Sequence, residues 1–177
     1  MSLTDRELWG VIHGLGLGTI FLLAFGGGLA GLYSLRRELL TEAGMKDRLR
    51  RLQWGTSSMA VVAWITVVTG TWIVYPWYRA KPPEGTTDLS DFPRSLLLAN
   101  EATARWHEFG MEWKEHVAWI APLLATAVAF VVWRYGDQLA DAPQLRRAIT
   151  VMFVLAFLAA AAAGLYGAFI TKAAPVL

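Results

Sequence analysis

Residues 8–35 read LWGVIHGLGLGTIFLLAFGGGLAGLYSL, and no Asp, Glu, Lys or Arg interrupts them before Arg36 and Arg37 close the run. At ~1.5 Å rise per residue, a helix over this stretch is longer than the ~30 Å hydrocarbon core of a bilayer. In lipid, only a helix satisfies its own backbone over such a run. Three more stretches share the property: about 54–78 with Pro76 near its exit, about 116–135, and about 149–170 behind Arg146 and Arg147. The sequence therefore predicts an all-α integral membrane four-helix bundle, a single membrane domain over 1–177. Composition agrees. Of 177 residues, 55% are hydrophobic and 17% charged, with more apolar and less charged content than soluble domains carry. The first run is too long for the h-region of a signal peptide, and acids flank it, so cleavage is not expected.

The absence of cysteine excludes a disulfide scaffold, thiolate iron–sulfur ligation, covalent c-type haem and zinc-finger chemistry. A net charge of +2 scattered over short loops gives no basic face for nucleic acid. Sidedness follows the cations. The loop 36–53 carries Arg36, Arg37, Lys46, Arg48, Arg50 and Arg51, and Arg134, Arg146 and Arg147 fall on the same side. The opposite side spreads its cations over many more residues and holds most of the acids. Both termini are thus expected outside and the 36–53 loop in the cytoplasm, as in a bacterial inner (cell) membrane protein.

The outer-side segment 79–115 opens on the breaker Lys81-Pro82-Pro83-Glu84-Gly85. Asp91 is a candidate cap and Pro93 a first-turn residue. The stretch 95–114 is helix-compatible apart from Gly110 and is expected to run along the outer surface into the third span. Pro122 should kink that span. Ser57, Ser58, Thr66 and Thr69 are expected to bond back to their own helix, and most tryptophans and tyrosines to sit in interfacial belts. The alanine-rich fourth span reads as a close-packing scaffold.

The three histidines, His13, His107 and His116, all map to the outer side. His13 lies about a turn inside the first span and His116 at the mouth of the third, at matched depth. Neutral imidazole is a strong iron ligand, and helix bundles hold cofactors between facing helices. One b-type haem on His13 and His116 is the sharper reading; interfacial histidines bonded to water or a carbonyl are the plainer one. His107 is a competing ligand. On a continuous helix it lies opposite His116, and a break at Gly110 would change that relation. Gly10 and Gly16, three residues either side of His13, would leave room for a flat macrocycle. The stripe Gly10, Gly14 and Gly18 reads equally as a close helix–helix contact. Arg105, with Arg79, Lys81 and Arg94, offers a partner for propionates or lipid phosphates. Glu101, Glu108, Glu112 and Glu115 fall on one helical face, read as a solvated acidic docking surface; Glu112, Glu115 or His107 could also accept protons.

Four spans, His13 and His116 on two of them, and a glycine-rich first span together resemble the small four-helix b-type cytochromes and the haem-bearing membrane anchor subunits of respiratory enzymes. Two-haem members of such families need four histidines, and this chain has three. The resemblance implies electron transport: a haem b subunit of a respiratory complex, with quinone as a further cofactor. Electrons would pass between membrane quinol and an outer-side redox subunit. If the chain is redox-active, it is an electron-transfer or quinol-oxidoreductase subunit with no catalytic side chain of its own. The alternative is a cofactor-free integral scaffold or docking subunit of a larger complex. No span carries an acid or base near its centre, which argues against an ion pathway.

Overall fold

A computed structural model describes residues 3–175, and among these there are helices and turns but no strand. Four helices are long and apolar enough to cross a membrane: α1 (Asp5–Ser34), α2 (Glu42–Tyr78), α4 (Glu101–Leu139) and α5 (Pro143–Ala173). A short α3 (Pro93–Leu98) lies between α2 and α4. Each long helix begins well before its apolar stretch, because hydropathy marks where lipid begins and capping marks where the helix begins. Thr4 and Glu7 form a reciprocal capping box at the start of α1. At the start of α2 the Thr41 hydroxyl accepts from the Gly44 N–H at 3.2 Å. The charged first turns of α2 carry ion pairs at helical spacing, Asp47 to Arg50 and to Arg51.

The 79–115 segment differs from expectation in where it breaks. Gly85 supplies the turn with a φ of 82°, which favours glycine. Pro93 opens α3 as expected, but Phe92 and not Asp91 occupies the cap position. The helix-compatible stretch 95–114 is interrupted not at Gly110 but at Asn100, whose side chain accepts from the Ala102 N–H at 2.9 Å and starts α4. Within α4 a turn interrupts the helix at 117–119. Pro122 has no N–H to give the Ala118 carbonyl four residues back, which accounts for the interruption there.

The chain resolves into two compact units. One comprises residues 3–18, 65–119 and 160–175; the other comprises 19–64 and 120–159.

The second unit is packed through small residues. Gly28 faces the ring of Phe153, and Gly31 faces Leu52. Phe25 stacks on Phe153 at 5.3 Å and on Phe157 at 4.1 Å. Leu32, Leu52, Met59, Val128, Val132 and Phe153 are fully buried among these contacts. Ser57 departs from expectation: its hydroxyl accepts from the Trp133 indole at 2.8 Å, tying α2 to α4. Trp64 donates to Thr126 at 3.0 Å and makes a second such tie.

At the loop end of this unit the Arg37 Nε lies 2.6 and 2.8 Å from the two carboxylate oxygens of Asp141. That hydrogen bond holds the Asp141 carboxyl below the ordinary carboxylate range. A depressed folded pKa contributes stability above the ordinary value, and the contribution is lost as pH falls through the lowered one. In a carboxyl-carbon NMR titration Asp141 should therefore titrate below its ordinary range, and Arg37→Gln should return it there.

In the first unit Tyr78, Leu97, Met111, Ile170 and Ala174 form a buried cluster, with Tyr75, Leu96 and Trp106 packed against it.

Candidate functional site

Three helical turns in the first unit widen to π geometry: Ile12–Gly16, Gly70–Val74 and Trp106–Met111. The second unit contains none among the described residues. A π-turn inserts a residue into the helix and recurs at functional sites. Here the three turns carry His13, Gly70 and His107 in that order.

His13 and Gly70 bring the first two turns together. The His13 Nδ1 lies 3.1 Å from the Thr69 hydroxyl. That hydroxyl spends its hydrogen on the Ile65 carbonyl at 2.8 Å, so it accepts from His13 and assigns the proton to Nδ1. The His13 Nε2 keeps its lone pair. Gly70 makes the approach feasible, since a Cβ there would stand 2.9 Å from the imidazole Cε1. Thr69 thus bonds its own helix, as expected, and also orients a ring on a neighbouring one.

His107 has no such freedom. Its Nδ1 is 2.8 Å from the Tyr78 hydroxyl, and its Nε2 accepts from the Arg94 Nε at 3.3 Å. Beside it the Tyr75 hydroxyl donates to Glu115 at 2.5 Å and accepts from Arg79 at 3.0 Å. The two tyrosine rings lie 6.3 Å apart and nearly parallel. Arg94, His107, Tyr78, Tyr75, Glu115 and Arg79 therefore form one polar group built from α2, α3 and α4.

His116 donates Nδ1–H to the Glu112 carbonyl of its own helix at 3.0 Å, which leaves its Nε2 free. Its side chain is 71% exposed, with the Glu112 carboxylate 3.5 Å away. Lys114 sits two residues earlier, about 200° round the helix at ~100° per residue. It lies against Gly167. Among the described residues no hydrogen bond or ring contact joins His13 to His107 or His116.

The remaining predicted positions are readily placed. A Cβ at Gly10, Gly14 or Gly18 would meet nothing within 4 Å, and one at Gly16 would meet only the Val11 carbonyl of its own helix. The glycine face of α1 is open, so no described helix packs into that stripe. Arg105 is exposed in α4 just before the π-turn at Trp106–Met111. Glu101, Glu108 and Glu112 are exposed, whereas Glu115 is partly buried against Tyr75. The Trp113 indole N–H is buried without an acceptor, and its ring lies beside those of Phe109 and Tyr166.

His13 and His116 have the donor pattern of metal-ligating histidines: one ring N–H given to a protein oxygen, the other nitrogen left bare. No group of three or more His, Asp or Glu gathers among the described residues. Each imidazole offers one free nitrogen, which is what an iron that arrives with its own ring ligands, as haem does, takes from the protein. Sequence reading missed Thr69 and Gly70 as neighbours of His13; a Thr-Gly pair in an apolar span was the available signal. Comparison with known protein families, curated proteins and solved structures finds no match.

Proposed function

We propose that the chain is an electron-transfer subunit of a respiratory-type complex in a bacterial inner membrane. It would be folded as a four-helix bundle with both termini outside, moving electrons between quinol and an outer-side redox partner through a b-type haem. The observation that carries this reading is His13, oriented by Thr69 and seated on Gly70 where two π-turns meet, with Nε2 bare. His13 and His116 would hold the group. A haem supplies one-electron chemistry to such a protein.

The chain's own residues supply orientation and proton handling. Thr69 fixes the His13 tautomer. Glu115, already hydrogen-bonded to Tyr75, is the base placed to take a proton that quinol oxidation releases. Tyr78 and His107 extend that polar group. The buried Trp113 N–H is a donor suited to a quinone oxygen. A second reading, a cofactor-free docking subunit, is favoured by the exposed carboxylates of Glu108 and Glu112.

The test is a dithionite-reduced minus air-oxidised spectrum of the detergent-purified chain, paired with a pyridine haemochrome assay. One haem per chain is expected. His13→Ala and His116→Ala should each abolish or shift its bands, while His107→Ala should retain them, because both His107 nitrogens are already engaged. A featureless spectrum from folded protein isolated with its native neighbours would overturn the haem reading and leave the docking subunit.

A further inference from the structure

At the loop end of the second unit, α1 and α5 leave an open groove of about 490 Å³. Its lining includes Arg36, Arg146 and Arg147 and no acid, with Leu32, Tyr33 and Val151 on the apolar side. We propose that this groove binds the phosphate of an anionic phospholipid, the arginines taking the headgroup and the apolar lip taking the first carbons of the acyl chains.

Five observations carry the assignment. The Arg36 Nε is buried and has no hydrogen-bond partner. A guanidinium N–H is costly to bury unpaired, and a phosphate oxygen is the acceptor it matches best. The Arg36 guanidinium lies 4.9 Å from the Tyr33 ring centroid, which holds it at the groove. Arg146 is fixed from the other side, its Nη1 donating to the carbonyls of Leu35 at 2.9 Å and Leu139 at 2.8 Å. Asp141, at this end, is occupied by Arg37, and no acid lines the groove. The start of α5 at Pro143 adds the positive end of a long helix.

The lip has the character of a lipid contact. Tyr33 is 74% exposed and Val151 57% exposed, both on helices long and apolar enough to face acyl chains. An inorganic anion would use the arginines and leave this apolar surface uncovered. A phospholipid uses both, so charge and apolar complementarity together favour the lipid.

The experiment is native mass spectrometry of the full chain released from detergent, titrated separately with phosphatidylglycerol, phosphatidylcholine and inorganic phosphate. Phosphatidylglycerol adducts should form at least ~10-fold more tightly than phosphatidylcholine adducts. Arg36→Gln and Arg147→Gln should each weaken them about fivefold, the value of ~1 kcal/mol per basic residue at a membrane surface. Arg147→Gln alone decides the matter if Arg36→Gln fails to fold. The control pair Arg48→Gln and Arg50→Gln, outside the groove, should leave binding unchanged. Equal affinity for the two lipids, equal losses in the control pair, or displacement of the lipid by inorganic phosphate at comparable concentration would each overturn the proposal.

Discussion

Gly70→Val is expected to unseat His13 and to remove the absorbance of the proposed haem as completely as His13→Ala does, although residue 70 offers no ligand atom. The imidazole lies so close to α2 that even a methyl group at position 70 would stand 2.9 Å from Cε1 and 3.4 Å from Nε2. Valine adds two further carbons, which cannot turn away from a ring bonded to Thr69, the preceding residue. Forcing extra carbons into an existing contact costs ~1–3 kcal/mol. The cheapest escape is for His13 to leave Thr69, which frees the tautomer and the ring orientation together. Gly14→Val is the control, since that position opens on nothing within 4 Å. Two readouts separate the outcomes. Haemochrome stoichiometry reports the proposed ligand. Thermal unfolding in detergent reports the seat itself and keeps its meaning if no haem is found. Gly70→Val and Gly14→Val behaving alike in both would show that the His13–Gly70 approach matters to neither.

The spans are legible in the sequence because a bilayer imposes so simple a rule: about 20 apolar residues in a helix. The helix ends are less so. Polar caps such as Thr4 and Asn100 start α1 and α4 outside the apolar runs, where hydropathy carries no information. The histidines stand out in the sequence, whereas their partners are obscured by one physical cause. A helical-wheel reading assumes 100° per residue throughout. The π-turn at Trp106–Met111 adds a residue to α4 and rotates every later position on that helix. Glu101 before that turn and Glu112 and Glu115 after it therefore do not keep the shared face a uniform wheel assigns them, and Glu115 meets Tyr75. Gly110 resembles a helix break when only its neighbours in sequence are known. It is buried against Tyr166, where a Cβ would be 3.2 Å from the ring, and the helix runs through it. Whether a glycine breaks, packs or opens a helix depends on what lies opposite, which the sequence does not contain.

The glycine run at Gly26-Gly27-Gly28 puts that dependence to a direct test. Gly28→Leu should destabilise the second unit by about 3 kcal/mol, whereas Gly27→Leu should stay within ~0.5 kcal/mol of the parent. A Cβ at 28 would stand 2.6 Å from the Phe153 Cζ and 2.9 Å from its Cε1, and one at 27 would meet nothing within 4 Å. Phe153 has no room to retreat. It is fully buried, and Phe25 stacks on it. The α2 backbone presses on the same place, since a Cβ at Gly55 would lie 3.7 Å from the Gly28 nitrogen. Between membrane helices such contact is the main source of cohesion, because lipid tails are as apolar as leucine and supply no hydrophobic drive. Unfolding in mixed detergent micelles, followed by tryptophan fluorescence, gives both stabilities on one scale. The double variant Gly28→Leu with Phe153→Ala supplies the mechanism: the leucine should occupy part of the volume the ring vacates and recover stability that Phe153→Ala alone has lost. A recovery of that kind is a coupling energy between the two positions. Strict additivity would mean that Gly28→Leu acts through the backbone and not through Phe153.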